Sequence, residues 1–215
     1  MNWSERAQAY RDSPGHRSGA DLDTTVDWCQ PGPGVTALDI ATGGGHVADR
    51  LRSLGCQVTT CDAAEGMQPD VVCPAEELPF ADASFDVAVC RIAAHHFTDL
   101  ERAVSEMARV SRDRVVIEDT LFTDDQVEQA ERLRDPTHVR NRTREEWLST
   151  LAGAGLRVTD EAGFAKHHPV EAWLSRTGCD GADADRVRAL LAHRTEGDAW
   201  SDTKIVLRAV RVSRE

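Results

Sequence analysis

An α/β fold is the class this 215-residue sequence predicts: a parallel sheet wrapped on both faces by helices and closed by an antiparallel strand. Three observations predict it. Short β-branched and apolar runs alternate with longer amphipathic stretches, the pattern of strands buried in a parallel sheet and joined by helices. The first such run ends in Gly43-Gly44-Gly45, a sharp strand-to-helix turn. After residue 118 the pattern changes to two strand-like runs around helical patches, which suggests a final antiparallel hairpin added to the sheet.

Each element follows from local chemistry. Pro31-Gly32-Pro33-Gly34 introduces the first strand, Val35–Ile40, and a helix runs from Gly45 to about Leu54. Gln57–Cys61, a short Val71–Cys73, Phe85–Cys90 and Val115–Ile117 are continuous apolar or β-branched runs suited to strands buried on both faces. Thr98 with Glu101 forms a capping-box pattern ahead of Leu100, Ala103, Val104, Met107 and Ala108, which share one helical face. Thr143 with Glu146 repeats it before Trp147, Leu148 and Leu151, and Gly153 or Gly155 closes that helix. Asp124–Arg134 reads as helix ending at Pro136. Leu156–Val158 and Ile205–Val210 read as late strands, with helical patches at Val170–Ser175 and Asp183–Ala192 between them. That gives about seven strands, the last antiparallel, in one domain. Residues 1–30 form an N-terminal helix and lid, 31–120 a cofactor-binding half, and 121–215 an acceptor-side half with a late helical insert.

Composition excludes several classes. The net charge is −12 and no dense basic stripe exists, so a nucleic-acid partner is not expected. Arg132–Arg144 reads as a mixed-charge surface; Arg134, Arg140 and Arg142 could hold an anionic group of an acceptor, but exposed arginines on a helix and its following loop are more often solvated. No basic-then-apolar leader and no run of about 18 apolar residues is present, so the expectation is a cytoplasmic protein with no membrane partner. The six cysteines lack C-x-x-C or zinc-type spacing and read as reduced packing residues, Cys61 and Cys90 included.

The chemistry concentrates in Leu38-Asp39-Ile40-Ala41-Thr42-Gly43-Gly44-Gly45-His46. The glycines let backbone approach a ligand at a helix amino terminus. Gly43-x-Gly45-x-x-Ala48 also satisfies a dinucleotide fingerprint, and a plain structural turn has the same look. Asp39 beside the glycines would repel a pyrophosphate but suits an ammonium. Asp62, closing the second strand, can accept from both hydroxyls of a ribose, or simply cap the segment after the strand.

With these residues in place, the sequence resembles the class I S-adenosylmethionine-dependent methyltransferases. It is most similar to the type 11 group related to the ubiquinone/menaquinone-biosynthesis C-methyltransferases. Leu38–His46, Ala75-Glu76-Glu77-Leu78-Pro79-Phe80, Ser84–Val89 and Arg91-Ile92-Ala93-Ala94-His95-His96-Phe97 carry the resemblance in order. Ala9–His16 and Leu133–Arg140 look like elements of one subgroup. The resemblance implies a Rossmann-like doubly wound sheet and S-adenosylmethionine as cofactor, leaving as S-adenosylhomocysteine. It implies that Ala41, Thr42 and Gly43 line the methionine part and that Asp62 and Ala63 hold the ribose, with Asp39 and Gly45 of the same loop counted among the cofactor-binding residues. Met67 would face the adenine, Ala75 and Glu76 its edge, and Arg91 and Ile92 the sulfonium. Tyr10 and His16 would belong to a lid.

Two departures stand out. Pro74 replaces the family's usual Asp before Ala-Glu, so adenine must be held by backbone or stacking. Only residues 63–70 connect the second and third strands, too few for a full crossover helix, so that helix is missing or about one turn long. The sheet face it would cover then needs the helix around Asp21–Trp28, or a partner subunit in a homodimer.

A sulfonium is an activated donor, so alignment and water exclusion are the main tasks, and a base is needed only when the acceptor must lose a proton. His95 and His96, after the fourth strand, are candidates for that base, or fill the wall. His16 and His138 are further candidates, and His167-His168 reads as a surface loop. Glu118-Asp119 with His95 suggests a metal-dependent site, but Arg91 stands where that site needs a carboxylate, so no metal is expected. The leading expectation is a methyltransferase acting on a small-molecule acceptor. The alternatives are a non-catalytic nucleoside-binding or interaction protein of the same fold, and an NAD(P)-dependent oxidoreductase.

Overall fold

A computed structural model describes residues 3–212. Helices α1 (Trp3–Arg11), α2 (Pro14–Arg17) and α3 (Ala20–Trp28) precede the sheet. Strand β1 (Thr36–Ile40) leads through the glycine loop into α4 (His46–Ser53), and β2 (Gln57–Asp62) comes next. A single 3-10 turn, Glu65–Met67, is all the helix between β2 and β3 (Val71–Val72), as the short connection requires. Then come β4 (Phe85–Arg91), α5 (Leu100–Val110), β5 (Ser111–Thr120), α6 (Asp125–Arg134) and α7 (Arg144–Gly153). The chain closes with β6 (Leu156–Pro169), α8 (Val170–Thr177), α9 (Gly181–Leu191), β7 (Thr195–Glu196) and β8 (Ala199–Arg211).

The sheet has eight strands in the order β3-β2-β1-β4-β5-β8-β6, with the two-residue β7 paired to β8. Strands β1 to β5 pair in parallel, and β8 runs antiparallel to both β5 and β6. Strand order reverses between β1 and β4, which opens a crevice at the carboxyl ends of those strands. Two cores sandwich the sheet. On one face Leu100, Met107, Trp147 and Leu151 of α5 and α7 pack on Leu38, Ala88 and Ile117; on the other, Leu22, Val26 and Leu51 of α3 and α4 pack on Val87, Val89 and Val116.

A third core belongs to the late insert. Strands β6 and β8 extend past the end of β5, pairing as far as Pro169 with Ala199. On this extension, Val127 and Ala130 of α6 pack with Trp173, Leu174, Val187 and Leu191 of α8 and α9 around the fully buried Trp200. The insert thereby roofs the carboxyl edge of the sheet.

Several expectations need correction. The late strands are far longer than their apolar runs: β6 alternates half-buried and exposed positions along nearly all of its 14 residues, as an edge strand with one wet face does. His167 and His168 are therefore strand residues and not a surface loop. The cap of α5 is Asp99, whose side chain accepts from the Arg102 N–H, while Thr98 bonds to Glu76 instead. The Thr143–Glu146 capping box is present, and Gly155, at φ +74°, turns the chain after α7. Helix α3 packs on α4, β5 and β8 rather than over β2 and β3; α1 lies against the 3-10 turn, and Val72 stays 54% exposed. Arg134 is buried, not solvated. Among the described residues no helix is long and apolar enough to cross a membrane.

Candidate active site

A cavity of about 720 Å³ lies along the carboxyl ends of β1, β2, β4 and β5 under the helical roof, and a smaller pocket of about 60 Å³ adjoins it behind the glycine loop. Of the residues singled out from sequence, Tyr10, His16, Ala41, Gly43, Asp62, Ala63, Met67, Ala75, Glu76, Ile92, His95 and His96 line the main cavity. Asp39, Thr42 and Arg91 line the smaller pocket. Gly45 lines neither. It takes a left-handed conformation, φ +79°, as the N-cap of α4, and its N–H donates to the Thr42 carbonyl.

The loop after β1 is held by two carboxylates. Asp39 Oδ2 accepts from Thr42 Oγ1 at 2.7 Å and from the Ala48 N–H at 3.2 Å. Burial pushes its pKa up to about 6. Asp62 accepts from the Gly43 N–H at 3.0 Å on one oxygen and from the Ala64 N–H at 2.8 Å on the other, and burial raises its pKa as well. Gly44 allows close approach: a Cβ there would lie 3.2 Å from the Tyr10 carbonyl and 2.8 Å from His46 Nε2, so the neighbouring groups would have to shift. His46 Nε2 in turn reaches that carbonyl at 3.3 Å, so α1 docks on the glycine loop and brings Tyr10 to the cavity.

Backbone strain marks the same edge. Ala41 and Ile92, directly after β1 and β4, adopt φ of +53° and +50°. A β-branched residue in that region costs roughly 1–3 kcal/mol and persists only where its surroundings impose it. Here the Ile92 N–H donates to the Glu118 carbonyl at 2.7 Å. The Arg91 side chain turns away to join Glu118 (2.6 Å), Asp21 (2.7 Å) and the His16 carbonyl (3.1 Å), tying the α2–α3 segment to the sheet. Against its burial, Lys166 and Arg91 hold the Asp21 pKa at about 2, whereas burial lifts that of Glu118 to about 7. Glu76 lines the cavity, but its carboxylate caps the start of α5 through Thr98.

The histidines separate by environment. Asp119 grips His95 twice, accepting from its backbone N–H at 2.8 Å and bonding its Nδ1 at 2.6 Å, which leaves Nε2 as the second ring nitrogen. Burial opposes a charge on His95, but the Asp119 carboxylate overrides it and the pKa is raised. The His96 ring is 4.2 Å from that of His95, and its Nδ1 reaches the Thr137 carbonyl at 3.1 Å. Burial and the neighbouring His95 charge push its pKa down to about 3. His16, bonded to Ser13 Oγ at 2.8 Å, is lowered well below the ordinary value by burial and by Arg176. His138 is a strut: its Nε2 meets Glu128 at 2.9 Å, while the Asn141 N–H binds the same carboxylate. The two adjacent rings thus differ in proton affinity, raised at His95 and lowered at His96.

Sequence reasoning missed the far wall. Lys166, His168, Trp173, Arg176, Asp202 and Lys204 come from β6, α8 and β8. His168 meets Asp202 at 3.0 Å and Lys204 meets it at 2.8 Å. The one available signal was the alternation through His167-His168, which an apolar-run criterion overlooks.

Comparison with known proteins agrees with this architecture. The family described as Methyltransferase domain matches residues 38–117. The chain is 30% identical over 214 residues to an uncharacterized methyltransferase, YcgJ, of Bacillus subtilis, covering 89% of this chain and 83% of that protein. Superposition on the crystal structure of YcgJ gives a TM-score of 0.81 at 26% identity, over 90% of this chain and 99% of that one. A ubiquinone/menaquinone biosynthesis C-methyltransferase, UbiE, of Cereibacter sphaeroides is 32% identical over 106 residues, 41% of this chain and 42% of that protein.

Proposed function

The chain belongs to the class I S-adenosylmethionine-dependent methyltransferases, and on that premise we propose that it methylates a small-molecule acceptor whose attacking atom gives up a proton. The observation that carries this reading is one continuous cavity joining Asp62 and the glycine loop to His95.

The residues at the ends of β1 and β2 fit the cofactor. Asp39 and Asp62 are buried carboxylates with raised pKa values, so a ligand bearing a cation beside them offsets their desolvation. Each Asp62 oxygen uses one lone pair on a backbone N–H and retains acceptor capacity for one of two vicinal hydroxyls. Pro74 has no N–H, so Met67 and Ala75 supply the apolar wall for an adenine. S-adenosylmethionine bound there supplies a methyl group on a cationic sulfur already activated for displacement.

The chain's own residues then perform three tasks. Tyr10 and His16, rings 5.6 Å apart, cover the donor end and exclude water. Ala41 and Ile92 bring strained backbone against the reacting region and fix the approach of donor and acceptor. His95, its Nδ1–H held by Asp119, takes the acceptor proton at Nε2, and Asp119 stabilises the imidazolium that forms. His96 stays neutral and adds no cation beside the sulfonium.

Calorimetry tests the reading. S-adenosylmethionine and S-adenosylhomocysteine should bind and NAD should not. Asp62→Ala should weaken S-adenosylhomocysteine binding by roughly ten- to hundredfold, the loss of hydrogen bonds to a charged group, and His96→Ala should leave it unchanged. Failure of both adenosyl ligands at high micromolar concentration, or equal losses in the two variants, would sink it.

A further inference from the structure

The cavity half built from α6, α8, β6 and β8 carries four cations, three of which have a carboxylate at hand. Lys166 pairs with Asp21, Lys204 with Asp202 at 2.8 Å, and Arg134 lies 3.6 Å from Glu131. Arg176 is the fourth. No hydrogen bond or ion pair to it exists among the described residues, yet it is half-buried and lines the cavity. The carboxylates that act on it, Glu131 and Asp202, are engaged by Arg134 and by Lys204 with His168, and neither comes within ion-pair distance of Arg176.

Arg134 is built into a fixed orientation beside it. Its guanidinium stacks on the Trp173 ring, 4.1 Å from the centroid, and its Nε donates to the Trp173 carbonyl at 3.0 Å. Trp173 and Arg176 are three residues apart on α8 and so share a helical face. Two like charges are thus held together in a half-buried site, and Glu131 and Asp202 act on Arg176 only from beyond ion-pair distance. A guanidinium withdrawn from water without a partner is unfavourable, and an anion in the cavity relieves both the desolvation and the repulsion.

We infer that Arg176, with Arg134, forms the recognition site for a carboxylate group on the methyl acceptor. One unpaired positive charge calls for one negative charge, and a guanidinium fork matches the planar, bidentate geometry of a carboxylate. Burial and the Arg134 charge lower the proton affinity of Arg176 and outweigh the more distant pull of Glu131 and Asp202. The Trp173 ring and Phe97 supply apolar wall, so the acceptor is an apolar body with a carboxylate at one end and its nucleophile toward His95. This deepens the methyltransferase reading and rests on it.

The test uses the full chain saturated with S-adenosylhomocysteine and a panel of aryl and alkyl carboxylates, each paired with its uncharged primary amide and with the matching phosphate ester. Binding is measured by calorimetry or protein-observed NMR. The wild type should prefer carboxylate to amide by roughly ten- to hundredfold, the value of a charge-assisted pair. Arg176→Gln should abolish that preference while its affinity for S-adenosylhomocysteine and its melting temperature stay at wild-type values, and Arg176→Lys should restore part of it. Equal binding of carboxylates and amides, no binding of any probe, or a preference that survives Arg176→Gln overturns the proposal. Tighter binding of the phosphate esters overturns the carboxylate assignment. Absence of S-adenosylhomocysteine binding would instead refute the methyltransferase reading, and this is measured first and separately.

Discussion

Replacing Asp119 by Asn tests the proposed base without any knowledge of the acceptor. In the wild type two opposing effects act on His95: burial disfavours its charge, and Asp119, 2.6 Å from Nδ1, favours it and prevails. Charge centres about 4 Å apart attract by about 4 kcal/mol at an effective dielectric constant of about 20, and one pH unit of proton affinity corresponds to about 1.4 kcal/mol. The ring is 14% exposed, so part of that attraction is screened, and the midpoint of His95 protonation should fall by roughly one to three pH units in the variant. The assay is NMR titration of ring carbons in histidine-labelled protein. His95 should titrate above the ordinary histidine value in the wild type and below it in Asp119→Asn, while His96, relieved of its charged neighbour, should move upward. The pair also leaves a stability signature. Because the folded His95 pKa is raised, its contribution is complete below the unfolded histidine value and is lost as pH rises through the folded value. Because the folded Asp119 pKa is lowered, its contribution is complete above the unfolded carboxylate value and is lost as pH falls through the folded one. The wild-type advantage in thermal melts should therefore be widest between about pH 4 and pH 6.5. A His95 that titrates at the same pH in both proteins would refute the reasoning.

Two further outcomes arise from burial. Asp39 ionises at about pH 6, so affinity for S-adenosylhomocysteine, which carries an ammonium, should decline as pH drops below that value and become flat in Asp39→Asn; calorimetry across pH 5–8 decides. Trp200 is fully buried at the centre of the third core, with the Trp173 ring 4.8 Å away. Trp200→Ala should cost about 3–5 kcal/mol and lower the melting temperature by roughly 6–20 °C, with S-adenosylhomocysteine still bound through the β1–β2 loops; an unchanged melt would show that the insert does not depend on this core.

How far the sequence was legible depended on the range of the interactions involved. Strands β1, β4 and β5 were readable because their central residues are buried on both faces, which demands continuous apolar runs, whereas the partly exposed β2 and β3 were readable from their β-branched residues. The one-turn connection after Asp62 was readable because chain length alone forbids a longer helix. The Thr143–Glu146 box was readable because its partners are three residues apart, whereas the Thr98–Glu101 pattern misled because Glu76, 22 residues earlier, takes the Thr98 hydroxyl instead. Edge strand β6 was seen only in its first residues, since a strand with one wet face needs apolar groups at alternate positions and polar ones do not exclude it.

The sequence by itself determined the βα core, the glycine loop between Asp39 and Asp62, and the histidine pair after β4, because strand burial, turn conformation and strand-end position are local consequences of residue type. Only the tertiary structure showed that Asp119 raises the proton affinity of His95 while that of His96 is lowered, and which cations around the cavity are already paired. Asp119 lies 24 residues from His95, and Arg134 meets the α8 segment carrying Arg176 directly at Trp173, 39 residues further on. Charge and proton affinity depend on distance and burial in space, and neither is written in the spacing of residues along the chain.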